Sequence, residues 1–506
     1  MPIATRIKPN LYKDSVALMR IAEQLLRDPA LSRATLVMGT AANKDILREA
    51  GLLDDAAQAV HPGDLIIVIE AATIASADAG FALVESALTS VARTSGPSRA
   101  IAPRSVAMAL PGLSGANLAQ ISVPGAYAGA EALKAVKAGL NVFLFSDNVP
   151  IEQERTIKQL AARRGLLVMG PDCGTAIIGG VPLGFANVVR QGHVGLIGAS
   201  GTGLQEVSSQ VHLMGAGLSH VIGTGGRDVK DAIGGITMLM ALDLLAADPA
   251  TTVIGIVSKP PAAAVMGAVV ERAGRAGKPV VVCFLGGADA PLPAGVRQAA
   301  SLFDCAAQCV ALAGGKVVEA APASSGAVPR FAPGQRFVRG LFSGGTFCTE
   351  AQVALRDLGL ACRSNVPLAP AHALASLDRS DGHTLLDLGD DDFTIGRPHP
   401  MIDPSSRVAR IAQEAADPGT AVLLLDIVLG YAGHDDPAGA LVPAITAAIA
   451  GAAAAGRVLA VVAFVCGTEE DPQRRSAQES ALRSAGVTLA PSSTHAARLA
   501  ARLVAS

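Results

Sequence analysis

Two short stretches of this chain, GASGTGLQE at 198–206 and FSGGTFCTE at 342–350, each follow an apolar run and each precede a helix-like pattern. Both contain Gly-Thr-x-x-x-Glu, as Gly201, Thr202 and Glu206 and again as Gly345, Thr346 and Glu350. The likeness extends past the turns. Each half reads apolar strand, Gly-Thr turn, helix, Gly, strand, acidic Gly-rich loop, helix, Ala-Asp-Pro and strand, with a period of about 144 residues at the turns and about 169 at Asp-Pro. Shared order over that distance predicts an internal duplication of a flavodoxin-like domain.

The rest of the chain has the same rhythm. LIIVI (65–69), LAQISV (118–123), NVFLF (141–145), GLLVMG (165–170), VGLIG (194–198), TVIGIVS (252–258) and VVVCFLGG (280–287) are separated by stretches of helical length and period. Continuous apolar strands alternating with helices predict an α/β fold with parallel sheets covered on both faces. A third set of strands, FVRGLF, TLLDLG, AVLLLDIV and VLAVVAFV, follows a Pro-, Ser-, Ala- and Gly-rich stretch. At 506 residues the chain is too long for one core. The expected layout is an N-terminal α/β region (1–105), a Rossmann-like region of CoA-binding type (106–190), a first flavodoxin-like ligase-type domain (191–318), a linker (319–336) and a second flavodoxin-like domain (337–506).

Composition removes several function classes. The 41 Lys and Arg are scattered among 43 Asp and Glu, so no basic face marks a nucleic-acid partner, and three Tyr without Trp leave little for base stacking. Seven dispersed cysteines without a C-x-x-C pair read as reduced cytosolic thiols, Cys173 among them as a small buried residue. The start MPIATRIKPNLYKDS has no apolar signal region, which places the protein in the cytoplasm. PAGALVPAITAAIAGAAAAG (437–456) is long and uncharged, but its Ala, Gly and Pro443, leading into VLAVVAFV, read as helix, turn and buried strand, with no membrane association.

A helix start leaves backbone N–H groups without intrahelical acceptors and carries a partial positive charge. At the two turns Ser200, Gly201, Thr202 and Gly203, and Ser343, Gly344, Gly345 and Thr346, let an anion approach those amides. Two such ends facing each other would grip a phosphate from both sides. Glu206 and Glu350, one turn into each helix, are candidates to orient a reacting group or proton. Arg227 in GGRD and Arg397 in GRPHP lie in corresponding loops of the two repeats and suit a substrate carboxylate or a second phosphate oxygen. Lys259, near a strand end in VSKPP, is a further anion ligand, and His399 between two prolines is a candidate acid or base. Asp390, Asp391 and Asp392 offer oxygens to Mg2+, although an acidic run is also an ordinary solvated turn. No metal site is assigned, and His434 in YAGHDD is given no role.

Two opposed helix N-termini resemble the succinyl-CoA synthetases, whose two subunits each contribute one such helix to a shared phosphate site. ISVPGAYAGAEALKAVKAGLNVFLFSDNVP and VMGPDCGT, within 118–175, resemble the later half of that family's CoA-binding domain. The FdrA-type family is a closer likeness over nearly the whole chain, through MGTAANK (38–44), FSDNV (145–149), VMGPDCGT, IGASGTG, GGRD (225–228), VSKPP (257–261), LGDDDFTIGRPHPMIDP (388–404) and GTEEDPQ (467–473). Three features differ from the succinyl-CoA synthetases. The strand KPVVVCFLGG is followed by ADAPLPAGVRQAASL, without the phosphorylated histidine; no ATP-grasp domain is evident; and MGTAANKDILREAG stands where the Gly-rich CoA loop is expected.

The FdrA resemblance implies a subunit of an oxamate carbamoyltransferase, which interconverts oxamate and carbamoyl phosphate with oxalurate and phosphate. It implies companion subunits in a hetero-oligomer; a homodimer is also open. Carbamoyl phosphate is an acyl phosphate, so the grip inferred from the turns holds its phosphoryl group without a covalent carrier. Two further classes stay open at this point: an NDP-forming acyl-CoA synthetase using CoA, and a non-catalytic scaffold that binds phosphate.

Overall fold

The computed structural model describes residues 2–11, 13, 15–90, 103–287, 291–317, 329–394 and 398–505. They form two compact units: Met1–Ala116 with Ser122–Pro124 and Asp391–Asp403, and Asn117–Ile121 with Gly125–Asp390 and Pro404–Ser506.

The first unit runs β1 (Ile3–Lys8), α1 (Ser15–Leu26), β2 (Leu31–Met38), α2 (Ala41–Glu49), α3 (Asp55–Gln58), β3 (Leu65–Ala71), α4 (Ile74–Ser90) and α5 (Val106–Ala109). Its sheet has the order β1-β3-β2 and is antiparallel throughout. This corrects the parallel pairing predicted for LIIVI. Leu65, Ile67 and Ile69 join a core with Leu18, Leu25, Phe81 and Val84, while Ile66 and Val68 pack with Leu47, Leu52 and Ala57. The unbroken apolar run therefore reports burial on both faces of a central strand, which an antiparallel sheet between two helical layers satisfies equally well.

The second unit begins with β4 (Leu118–Ile121), α6 (Gly125–Lys137), β5 (Asn141–Leu144), α7 (Ile151–Arg163) and β6 (Val168–Met169), giving a parallel sheet β4-β5-β6. Next come β7 (Thr175–Ile178), β8 (Val181–Gly184), β9 (Gln191–Gly198), α8 (Gly201–Leu213), β10 (Leu218–Gly223), α9 (Ile236–Ala247), β11 (Val253–Ser258), α10 (Ala263–Gly274), β12 (Val280–Phe284), β13 (Val296–Gln298) and α11 (Leu302–Leu312). Their sheet has the order β13-β12-β11-β9-β10-β7-β8. Five strands are parallel in flavodoxin-like order, and the β7–β8 hairpin adds antiparallel to β10. That hairpin lies before residue 190, so the expected domain boundary there cuts through a hydrogen-bonded sheet.

The last part holds β14 (Phe337–Phe342), α12 (Gly345–Asp357), β15 (Cys362–Ser364), β16 (His383–Asp387), α13 (Asp391–Thr394, in the first unit), α14 (Ser405–Ala416), β17 (Thr420–Val428), α15 (Pro437–Ala454), β18 (Ala460–Cys466), α16 (Arg475–Ser484), β19 (Thr488–Ala490) and α17 (Ser493–Ala505). All six strands are parallel in the order β15-β16-β14-β17-β18-β19. Without the edge strand β15, this repeats the order of the preceding sheet, as the duplicated sequence requires. Arg339 interrupts the apolar β14 yet is 2% exposed, because Glu414 at 2.9 Å and Asp417 at 2.5 Å neutralise it.

Helix α15 is long and apolar enough to cross a membrane by length and composition. Its buried Ala438, Leu441, Ile445, Ala448 and Ala452 recur at three- and four-residue intervals, the spacing of one core-facing stripe. Residues 329–336 of the expected linker carry no helix or strand; its earlier part, and most of the boundary near 94–105, lie outside the described residues.

Candidate functional site

Helices α8 and α12 start at the carboxyl ends of β9 and β14. Each of these strands lies between the next two core strands of its sheet, so successive connections leave in opposite directions, the place where open α/β sheets commonly bind ligands. The two helix starts meet within one chain. Ser200 is the N-cap of α8, accepting the Gly203 amide at 3.0 Å, and its hydroxyl also bonds Thr346 Oγ1 on the first turn of α12. The contact is reciprocal. A β-carbon added at Gly344 would lie 2.3 Å from Thr202 Cγ2, and one at Gly203 would lie 3.1 Å from Thr346 Cγ2. Each threonine thus packs against a glycine of the opposite turn.

This close fit divides the predicted phosphate ligands. Thr202, Gly203, Ser343, Gly344 and Thr346 are buried, whereas Ser200, Gly201 and Gly345 remain partly accessible. Ser343 is committed internally: its amide donates to Asp426 Oδ1 at 3.0 Å, and its hydroxyl also donates to that carboxylate. Asp426 is in turn paired with Arg407 at 2.8 Å, both fully buried side chains. Neither Asp426 nor Arg407 stood out in the sequence, because Asp426 falls inside the apolar run AVLLLDIV and Arg407 inside an ordinary amphipathic helix.

Glu206 and Glu350 sit one turn into their helices but converge on the start of α17. Glu206 Oε1 accepts the Ser493 amide at 3.0 Å and Gln210 Nε2 at 3.2 Å, and the Cys466 thiol lies against the same carboxyl. Glu350 Oε1 accepts the Leu302 amide, at the start of α11, at 2.9 Å and Thr494 Oγ1 at 2.8 Å; Oε2 accepts Ser493 Oγ. Burial pushes the Glu206 carboxyl up to about 7 and raises Glu350 as well. The expectation that the pair orients a reacting group at the turns is corrected to one in which both side chains anchor helix starts inside the protein.

Arg227 is held by the Val149 carbonyl at 2.7 Å and by Glu154 at 2.9 Å. Glu154 also pairs with buried Lys158 at 3.0 Å, and Lys158 with Asp228 at 2.8 Å. Asp228 caps α9 through the Thr237 and Met238 amides. Arg227 therefore belongs to a network that joins α7 to the adjoining sheet and does not stand as a free substrate ligand. His399 lies in the first unit, where its Nδ1 accepts the Met401 amide at 3.3 Å; Arg397 lies outside the described residues. No group of three His, Cys, Asp or Glu side chains is arranged to hold a metal among the described residues, so Asp390, Asp391 and Asp392 do not assemble into a Mg2+ site there.

Lys259 is exposed and reaches the start of α12, its Nζ 3.2 Å from where a Gly345 β-carbon would sit. Asp387, the last residue of β16, approaches the same point, with Oδ2 2.5 Å from it. Burial pushes the Asp387 carboxyl up to about 7. The sequence did carry a signal for Asp387: an acid closing the apolar strand TLLD, two residues before a glycine, at the strand end where α/β sheets place ligands.

Three family models match parts of the chain: one described as CoA-ligase at 341–503, one as CoA binding domain at 189–287, and one as AllF, heavy metal-associated domain, at 1–103. Residues 1–103 contain no cysteine, the first being Cys173, so the residues present do not fit a thiolate-held heavy metal. The ADP-forming sulfoacetate-CoA ligase subunit SauD of Bilophila wadsworthia is 27% identical over 189 residues, 35% of this chain and 61% of that one. The solved dinucleotide-forming acetyl-coenzyme A synthetase 1 of Ca. Korarchaeum cryptofilum, in complex with phosphate and ADP, aligns over 77% of this chain and 82% of its own at 18% identity and TM-score 0.32. The uncharacterized protein YahF of Escherichia coli (strain K12) is 42% identical over 511 residues, spanning 100% of this chain and 99% of the relative. The chain belongs to the family of YahF, within the succinyl-CoA synthetase-like superfamily, and is an NDP-forming acyl-CoA synthetase-like protein.

Proposed function

We propose that this chain is the phosphate-holding subunit of an acyl-phosphate-dependent transferase, and that its donor is carbamoyl phosphate and its acceptor oxamate. The observation that carries the reading is the meeting of two helix N-termini in one chain, joined through Ser200 and Thr346 with Lys259 beside them. First-turn amides and the ammonium supply positive potential where a leaving phosphate accumulates charge, and being fixed in the fold they need no reorganisation when it forms. The acceptor nitrogen attacks the carbonyl carbon, the bond from that carbon to the phosphate oxygen breaks, and the helix starts retain the phosphate. No histidine occurs between Leu285 and Gln298, after β12, which favours direct transfer over a phosphorylated carrier.

The CoA-ligase and CoA-binding family models favour a second reading, an acid–thiol ligase in which the CoA sulfur is the acceptor at the same site. In either reading the chain works in the cytoplasm with companion subunits. The test is phosphate release from carbamoyl phosphate, with and without oxamate, by the chain alone and with its companions, alongside a calorimetric CoA titration. Oxamate-dependent release supports the carbamoyltransferase. Saturable CoA binding without such release replaces it with the ligase, and neither signal in a folded assembly refutes both.

A further inference from the structure

Asp387 has no place in either reading so far. Its side chain is 6% exposed; Oδ1 accepts the Gly389 amide at 3.0 Å, and no hydrogen bond among the described residues reaches Oδ2. Oδ2 is turned on the first residue of α12. Lys259 Nζ comes to the same glycine, yet no ion pair joins the two among the described residues. An ammonium and a carboxyl thus flank Gly345, whose missing side chain leaves the helix start open between them. Asp390 and Asp426 are the other acids acting on Asp387, reinforcing the effect of burial, while Lys259 and the Gly389 amide oppose it. The outcome is a carboxyl able to exchange a proton near neutral pH.

We propose that Asp387 and Lys259 form a proton-coupled oxyanion site at the start of α12, in which Lys259 and the first-turn amides hold phosphoryl oxygens and Asp387 takes up and returns the proton moved by the reaction. Its chemical use rests on the acyl-phosphate reading. As the acceptor nitrogen bonds to the carbonyl carbon, its proton passes to Asp387 Oδ2. As the carbon–oxygen bond breaks, the electron pair leaves with the phosphate and Asp387 returns the proton to a phosphate oxygen. Atoms and charge balance, and Asp387 ends in its starting form.

Sulfate is the probe for the site, because it imitates phosphate without titrating between pH 5.5 and 8.5. Calorimetry on the full chain is expected to give sulfate binding about tenfold tighter at pH 5.5 than at 8.5, as Asp387 gains its proton and ceases to repel the anion. Asp387→Asn keeps the shape and an acceptor for the Gly389 amide. It is expected to hold the acid-pH affinity across the range within about twofold, and Lys259→Met, at an exposed position, to weaken binding about tenfold at every pH. In the assembled enzyme, Asp387→Asn should lower kcat by about 100-fold or more with KM for carbamoyl phosphate within about twofold.

Sulfate binding that is absent, or insensitive to pH in the wild type, overturns the proposal. So does a pH dependence that survives in Asp387→Asn, or wild-type turnover by that variant. An assembly inert toward carbamoyl phosphate but with pH-linked sulfate binding, removed by Asp387→Asn, supports the site and refutes only the carbamoyl reading.

Discussion

Replacing Gly344 by alanine tests whether the two helix starts are wedged together as described. The new methyl carbon would lie 2.3 Å from Thr202 Cγ2, 2.6 Å from Oγ1 and 2.9 Å from Cβ. Rotating Thr202 about χ1 relieves the first two contacts but not the third, because Cβ moves only with the backbone of α8. Overpacking of this kind costs about 1–3 kcal/mol. Taking about 2 kcal/mol, and an unfolding entropy of about 2.1 cal/mol/K per residue over the compact unit that holds both turns, the melting temperature should fall by roughly 2–3 °C. Gly267, in α10, has nothing within 4 Å of the corresponding position, so Gly267→Ala should be stabilising by about 0.5–1 kcal/mol through helix propensity alone. The same added methyl group therefore changes stability in opposite directions at the two sites. Chemical denaturation of both variants beside the wild type provides the measurement. A Gly344→Ala protein as stable as the wild type would refute the wedge, and with it the premise that the threonines are held in register for one anion.

Glu206 gives a pH signature. Its folded-state value is raised by burial, so between about 4.5 and 7 the native protein retains a proton that the unfolded chain has lost, and this contribution to stability disappears as pH rises through that window. Glu206→Gln should match the wild type near pH 4.5 and exceed it at pH 8 by on the order of 3 kcal/mol; equal stability at pH 8 would place the carboxyl in a less costly environment. Asp426→Ala leaves Arg407 buried without its counter-charge and should destabilise by about 3–5 kcal/mol in denaturant titration. Thr346→Val keeps the branched shape but removes the hydroxyl bound to Ser200; a loss of about 1 kcal/mol, with assembly preserved and phosphate release reduced, is expected, and unimpaired release would detach the pair from the chemistry.

The positions of the main strands were legible in the sequence because β9, β11, β12, β14, β16, β17 and β18 are apolar runs bounded by turns, a pattern fixed by local burial. For these strands the alternation with helices also predicted the parallel direction, but for β3 the same prediction failed. LIIVI looks identical whether its neighbours run with it or against it, and pairing with β1 and β2 is decided by contacts far apart in the chain. The duplicated Gly-Thr turns similarly announced two helix starts but not their partners. Glu206 and Glu350 have the spacing to serve the turns, yet the packing of α8 and α12 with α11 and α17 carries both to the start of α17. Arg227 and Asp228 sit side by side in sequence, and only the approach of α7 sends one to Glu154 and the other to Lys158.

What the sequence by itself determined was therefore repetition, element type and the presence of small residues at two helix N-termini, since each depends on neighbours within a turn or two of chain. Tertiary structure alone decided that the helix starts meet in one chain, that Ser343 is spent on Asp426, and that Asp387 and Lys259 flank Gly345. Lys259 belongs to one repeat and Asp387 to the other, so no local pattern links them; the close packing of the two modules brings their charges to a single glycine.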